Sequence, residues 1–183
     1  MVDVLAWLIP AALLAISELV FASRSGREAS TDAIAVDHAI KSATVAALFG
    51  PALLATMLPG TPPGLVWTGL AIALAGVTLR TIAMVTLKER YRLIPQRQSS
   101  SHHLVRSGIY ALVRHPGYTG ILVALAGLAL VAAGAAGLVF MVPVTVLCGV
   151  RIAGEERLLR EEFSTDFGDY CRAVRWRLVP WLY

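Results

Sequence analysis

Residues 118–150 read YTGILVALAGLALVAAGAAGLVFMVPVTVLCGV, an uncharged and almost wholly apolar run of 33 residues. At about 1.5 Å per residue a single helix of that length would extend about 50 Å, well past the roughly 30 Å of bilayer hydrocarbon. The run is therefore expected to fold back on itself. The cluster Ala132-Ala133-Gly134-Ala135-Ala136-Gly137 is the natural turn, because glycine weakens a helix and permits a reversal. Each arm is then about 13 to 16 residues, short for a span, which predicts a tight helical hairpin wedged against other helices.

Upstream lie three further apolar runs: Val4 to Phe21, Ala39 to Leu58 and Gly64 to Leu87. A cleaved signal peptide is the alternative for the first, but its early charge would be basic. The charge found is Asp3, and Glu18 falls where a small-residue cleavage site would begin. Pro51 is expected to kink the second run, and Pro59-Gly60-Thr61-Pro62-Pro63 to end it in a tight turn. Five transmembrane helices result, in an all-α polytopic membrane protein whose last two form the hairpin and continue into a cytoplasmic C-terminal helix. The chain reads as one domain, 1–183, with an N-terminal two-helix part over 1–60 and the chemistry in 64–183.

The composition agrees: 57% of the 183 residues are hydrophobic and 15% charged, for a mean hydropathy of +0.69, too apolar for an ordinary globular core. The net charge of +4 comes from 16 basic residues placed between and after the apolar runs. That is unlike a nucleic-acid-binding face, so no DNA or RNA partner is expected. Five crossings place segments 22–41, 88–117 and 151–183 on one side, with fifteen of the sixteen basic residues; the opposite side, 59–63 and the hairpin tip, has none. The charge rule makes the basic side cytoplasmic, with the N-terminus outside, in the cell (inner) membrane of what the Arg-, Ala- and Gly-rich composition suggests is a bacterium. Two cysteines, Cys148 and Cys171, and four scattered histidines form no metal-ligand pattern.

The sixteenth basic residue, Arg80, sits about seven residues inside the third run, roughly 10 Å deep. It either snorkels to the surface or, with Thr78, Thr81 and Thr86, lines a polar cavity. Segment 101–118, SHHLVRSGIYALVRHPGY, is dense in hydrogen-bonding side chains just before the long apolar run. Tyr110, His115 and Tyr118 offer donors and aromatic walls to a polar small molecule; a helix-start turn with interfacial tyrosines is the structural alternative. After the run, Arg151 with Glu155, Glu156 with Arg160 and Arg157 with Glu161 are i,i+4 pairs on a helix. Most read as a solvated face, but Arg151 and Glu155 start at the membrane surface, where an ion needs a specific partner. Gly69, Gly76, Gly120 and Gly127 permit close helix contacts, within one chain or between chains.

Leu104-Val105-Arg106-Ser107-Gly108-Ile109-Tyr110, then Arg114-His115-Pro116-Gly117-Tyr118-Thr119-Gly120, then Arg151, Glu155-Glu156, Leu159, Phe163, Tyr170, Val174 and Pro180 resemble the isoprenylcysteine carboxyl methyltransferase family. So do Gly76 and Arg80. That family, with its phospholipid N-methyltransferase relatives, consists of integral-membrane enzymes using S-adenosylmethionine and releasing S-adenosylhomocysteine. The resemblance implies a cytoplasmic-face cofactor pocket contacted by His102, His103, Leu104, Val105, Tyr110, His115, Pro116, Gly117, Tyr118 and Glu155. It implies acceptor binding by Arg151. From their own placement and chemistry Arg80 and Glu156 are expected on the acceptor side, with Arg151 and Arg80 carrying the catalytic orientation. Gln96 is a possible counterpart of a cofactor-contacting glutamine in relatives, though only with a gap. The chain departs from the family at Ser164, where Gly is usual, and at Phe167, where Tyr is common.

A carboxylate acceptor, ionised at neutral pH with a reference pKa of about 4, needs no general base, and Arg151 can grip it bidentately. An amine would need Glu156, water linked to Arg80, or a neutral histidine to take its proton. The expected acceptor is a lipophilic or lipid-like small molecule arriving through the bilayer, by a lipid-facing gap near Arg80 and Arg151. The alternatives are phospholipid, amine or thiol methylation, an NADPH-dependent sterol-type reductase, whose C-terminal parts carry a similar His-Pro-x-Tyr, and a non-catalytic membrane protein.

Overall fold

The computed structural model describes residues 8, 11–16, 31–58, 60–88 and 104–180. Its regular structure there is all helical: α1 (Thr31–Ala55), α2 (Pro63–Lys88), α3 (Pro116–Ala133) and α4 (Met141–Ala173), with 3-10 turns at Gly108–Ala111 and Gly134–Phe140. Residues 11–16 of the first apolar run are also helical. Among the described residues, three stretches are long and apolar enough to cross a membrane: Ala35–Ala55, Pro63–Leu87 and Pro116–Ala173.

The helix boundaries follow local chemistry. Helix α1 starts eight residues before the apolar run, at Thr31. This extension places Asp37 on the helix one turn before Lys41. Pro51 does not end it at once; the helix runs four residues further, to Ala55, and breaks in a turn over 56–58. Proline opens α2 at Pro63 and α3 at Pro116, where its fixed φ is already helical and its missing N–H costs nothing. Gly134, at φ +58, ends α3 within the small-residue cluster.

Helices α2 and α3 form the closest pair. Gly69 and Gly76 on α2 face Gly127, Ala124 and Gly120 on α3, and a Cβ at Gly69 would lie 2.8 Å from the Gly127 carbonyl oxygen. The seven-residue glycine spacing thus serves a contact within the chain, letting backbones touch where lipid supplies no hydrophobic drive. Ala11 and Leu14 of the first run join Ala43 and Ala47 of α1, Ile121, Ala124, Leu125 and Leu128 of α3, and Val144 and Cys148 of α4 in one core. Outward, Leu53, Met57, Trp67 and Val146 are largely exposed, an apolar surface suited to lipid and costly in water. The protein is integral to the membrane.

Candidate functional site

The two motifs, 37 to 42 residues apart in sequence, meet where the start of α3 lies against the middle of α4. His115 caps α3, and its carbonyl accepts from the backbone N–H groups of Tyr118 and Thr119 at 3.1 and 3.2 Å. This first turn brings Tyr118 back towards α4, where its hydroxyl donates to Glu155 Oε1 at 2.6 Å. Arg151, one turn before Glu155, donates from Nε to the same oxygen at 3.2 Å and from Nη1 to Asp37 Oδ1 at 3.0 Å. Lys41 pairs with the other Asp37 oxygen. The side chains of Arg151, Glu155 and Asp37 keep 31%, 35% and 38% of their exposure, so this constellation is open. Glu155 Oε2 faces His115 Nδ1 at 3.8 Å, beyond hydrogen-bond range, and keeps capacity for a further donor or cation.

Next to it lies a closed constellation around Glu156, whose side chain is 2% exposed. Arg114 donates from Nε to Oε1 at 2.9 Å. Arg177 reaches Oε2 from Nη2 at 2.9 Å, Arg160 reaches it at 3.4 Å, and His115 Nε2 lies 3.4 Å from Oε1. Arg114 also donates from Nη1 to the carbonyls of Val174 and Arg175 at 2.7 and 2.8 Å. The backbone N–H groups of Arg114 and His115 donate to the Trp176 and Arg177 carbonyls, each at 2.9 Å, and Thr119 Oγ1 donates to Leu178 O at 2.7 Å. The C-terminal segment is thereby stapled across the start of α3. A bend makes this possible: α4 is non-helical at Ser164, φ +42 and ψ −110, and beyond it Phe167 and Tyr170 are buried. The Tyr170 hydroxyl donates to Tyr110 O at 2.7 Å.

The residues expected to form the site divide. Arg151, Glu155, Tyr118 and His115 come together as described. Arg80 is buried at 7% exposure and donates from Nη1 to the Gly117 carbonyl at 3.0 Å, fixing the turn that aims Tyr118. Pro116 is buried in the same turn. Tyr110 is buried with its hydroxyl on the Ala83 carbonyl at 3.4 Å, attached to α2 and to Tyr170 without a direct contact to Glu155. Leu104 packs on the Phe167, Tyr170 and Val174 cluster, and Val105 is half-buried beside it. Glu156, expected on the acceptor side, is placed inside, with both carboxylate oxygens engaged by the chain's own cations. His102, His103 and Gln96 lie outside the described residues. A cleft of about 480 Å³ between Ala111-Leu112 and the 173–176 segment contains none of the expected site residues.

All three expected i,i+4 pairs on α4 form. Sequence reasoning did not single out Asp37, Arg114 or Arg177 as site residues. The Asp37/Lys41 spacing at the start of an apolar run was a usable signal for the first, since a charge pair there needs a reason. Arg114 lay inside the quoted motif, and nothing local marks Arg177.

The chain has relatives among known proteins. It is 29% identical over 110 residues to a probable protein-S-isoprenylcysteine O-methyltransferase of Oryza sativa subsp. indica, covering 59% of this chain and 58% of the relative. With protein-S-isoprenylcysteine O-methyltransferase B of Arabidopsis thaliana it shares 31% over 108 residues, 58% of this chain and 55% of that one. With the Homo sapiens protein-S-isoprenylcysteine O-methyltransferase it shares 32% over 114 residues, 56% and 38% of the respective lengths. The matched part therefore spans about half the length of the plant relatives and less of the human one. The profile of the isoprenylcysteine carboxyl methyltransferase (ICMT) family matches residues 68–161, which hold Arg80, the Arg-His-Pro turn, Tyr118, Arg151 and both glutamates. With half of its length under that match, the chain belongs to the isoprenylcysteine carboxyl methyltransferase family, whose members are S-adenosylmethionine-dependent methyltransferases.

Proposed function

We propose that this chain methylates the carboxylate of a lipophilic acceptor, using S-adenosylmethionine, at the cytoplasmic face of the cell membrane. The observation that carries the reading is the open Tyr118–Glu155–Arg151 constellation, set where the start of α3 meets the middle of α4 within the family-matched segment. In this reading the Pro116–Ala173 stretch crosses the bilayer and returns. The hydrogen bond from Tyr118, at its start, to Glu155, 37 residues on, supports that course. With the first run, α1 and α2, it makes five crossings that leave the N-terminus outside and the site inside.

The donor set suits the cofactor's charges. A half-exposed carboxylate oxygen of Glu155, beside the Tyr118 ring, suits a sulfonium or ammonium group through charge and cation–π attraction. When bound, that cofactor supplies a methyl carbon on positive sulfur, which an ionised carboxylate attacks without a base. The chain's own work is positional. Tyr118 and Arg151 fix the Glu155 carboxylate, Arg80 fixes the turn beneath Tyr118 through Gly117, and the buried Glu156 constellation fixes His115. Arg151 then orients the acceptor's carboxylate. Holding two reactants in a near-attack arrangement away from water supplies most of the acceleration such a transfer needs. Arg151, about a third exposed, stands at the side from which a lipid-soluble acceptor enters, with Arg80 buried deeper.

The test is calorimetric binding of S-adenosylhomocysteine to detergent-purified protein, with NADPH in parallel and Glu155→Ala as control. Micromolar binding that is lost in the variant and absent for NADPH is expected. NADPH binding with silence toward S-adenosylhomocysteine would replace this reading by a reductase.

A further inference from the structure

The Arg151 guanidinium is not free to receive an acceptor. Its Nη1 is held by Asp37 at 3.0 Å and its Nε by Glu155 at 3.2 Å. A carboxylate gripped bidentately uses Nη2 together with either Nε or Nη1, and each of those two arms already carries a resident carboxylate, so an incoming acid competes with one of these carboxylates. They differ in how they are tied. Glu155 is one turn from Arg151 on the same helix and is locked by the Tyr118 hydroxyl at 2.6 Å. Asp37 comes from α1, outside the family-matched segment, and its other oxygen is on Lys41 one turn along. If Arg151 leaves Asp37, Lys41 keeps the aspartate's charge compensated at a half-exposed site; if Arg151 leaves Glu155, nothing on α4 replaces it.

Building on the carboxylate reading above, we infer that Asp37 is a latch on the acceptor site: it occupies Arg151 in the resting protein, competes with an anionic acceptor for it, and retires onto Lys41 when the acceptor binds. Methylation removes the acceptor's charge, so the ester has no claim on the guanidinium and Asp37 regains it. The N-terminal helix α1, which carries no residue of the family motif, thereby sets how tightly an acid is held. The latch acts through Arg151, so Asp37 is a positioning residue and touches no reacting atom.

The latch and a merely structural charge chain differ in sign. N-acetyl-S-farnesylcysteine serves as the carboxylate probe, its dissociation constant measured on the full chain in detergent with S-adenosylhomocysteine present. Asp37→Asn removes the competitor and is expected to tighten the probe about fivefold, a shift of the size that half-exposed ion pairs produce. Lys41→Met removes the retreat and is expected to weaken it about threefold. In an Arg151→Ala background both shifts are expected to disappear, because the coupling runs through that residue. Both variants weakening the probe would overturn the latch and make the chain a rigid support for Arg151. The same Asp37→Asn shift without Arg151 would overturn it too, as a long-range charge effect. These failures are separable from failure of the underlying reading: a native chain that binds no S-adenosylhomocysteine, or binds it but not the acid, removes the carboxylate methyltransferase reading and the latch with it.

Discussion

Glu155 and Glu156 are neighbours on one helix, yet they stand in regions built on opposite plans. Around Glu156 three arginines and a histidine converge on a carboxylate 2% exposed. One of them, Arg114, also holds the backbone carbonyls of Val174 and Arg175 in the C-terminal segment, so charge is spent on closing the fold. Around Glu155 a tyrosine and one arginine hold a carboxylate 35% exposed, with an oxygen left over. A buried ion cluster is stabilising only when every partner is present, which suits architecture, whereas a half-satisfied exposed carboxylate suits a ligand that comes and goes. Successive residues on a helix are about 100° apart, and that rotation separates the two roles.

Breaking the closed region gives the largest expected effect. Glu156→Ala leaves Arg114, Arg177 and Arg160 facing one another around an uncompensated buried space, and loss of about 3–5 kcal/mol is expected. Thermal unfolding in detergent, followed by tryptophan fluorescence, checks it; a midpoint within two or three degrees of the native one would show the cluster to be ornamental. Glu155→Ala is expected to do the reverse. Stability changes by less than about 1 kcal/mol, as for an exposed pair, while S-adenosylhomocysteine affinity falls about tenfold or more, the worth of a hydrogen bond to a charged group. Equal damage to folding by both alanines would erase the contrast between the regions.

The sequence made the open region legible more readily than the closed one, and the reason is range. Arg151 and Glu155 are one turn apart on a helix, and the Arg-His-Pro-Gly-Tyr run announces its own helix start, so local rules suffice. The end of α3 inside 132–137 was equally local, since glycine at φ +58 ends the helix there. Of the cations around Glu156 only Arg160, one turn on, is local; Arg114 is 42 residues away and Arg177 lies 21 residues on, past the bend at Ser164, so the closed cluster does not show in the sequence. Asp37 is 114 residues from Arg151. No periodicity encodes such meetings; they follow from helix packing, which single-chain pattern reading does not reach.

A finer probe of the open region is Tyr118→Phe. It deletes the hydroxyl that fixes Glu155 and keeps the aromatic wall, so S-adenosylhomocysteine should bind about fivefold more weakly, the effect of one ordinary hydrogen bond. Loss equal to that of Glu155→Ala would mean that the tyrosine hydroxyl itself contacts the ligand.

The smallest expected effect sharpens the comparison from the other side. Ser164 holds φ +42 and ψ −110, a conformation costing a residue with a Cβ on the order of 1 kcal/mol and glycine little. The bend is a need of the closed region that this chain meets under strain. The bend is needed because Phe167 and Tyr170 must turn back for Tyr170 to reach the Tyr110 carbonyl and for the 174–178 segment to lie across Arg114 and Thr119. Ser164→Gly is therefore expected to raise stability by about 1 kcal/mol, offset in part by the greater freedom of an unfolded glycine. Affinity for S-adenosylhomocysteine should not change, because the bend bears on Glu156 and its arginines and not on Glu155. A glycine variant that melts earlier would show that the serine side chain supports the bend, and one that binds the ligand differently would show that the two regions are mechanically joined despite their opposite plans.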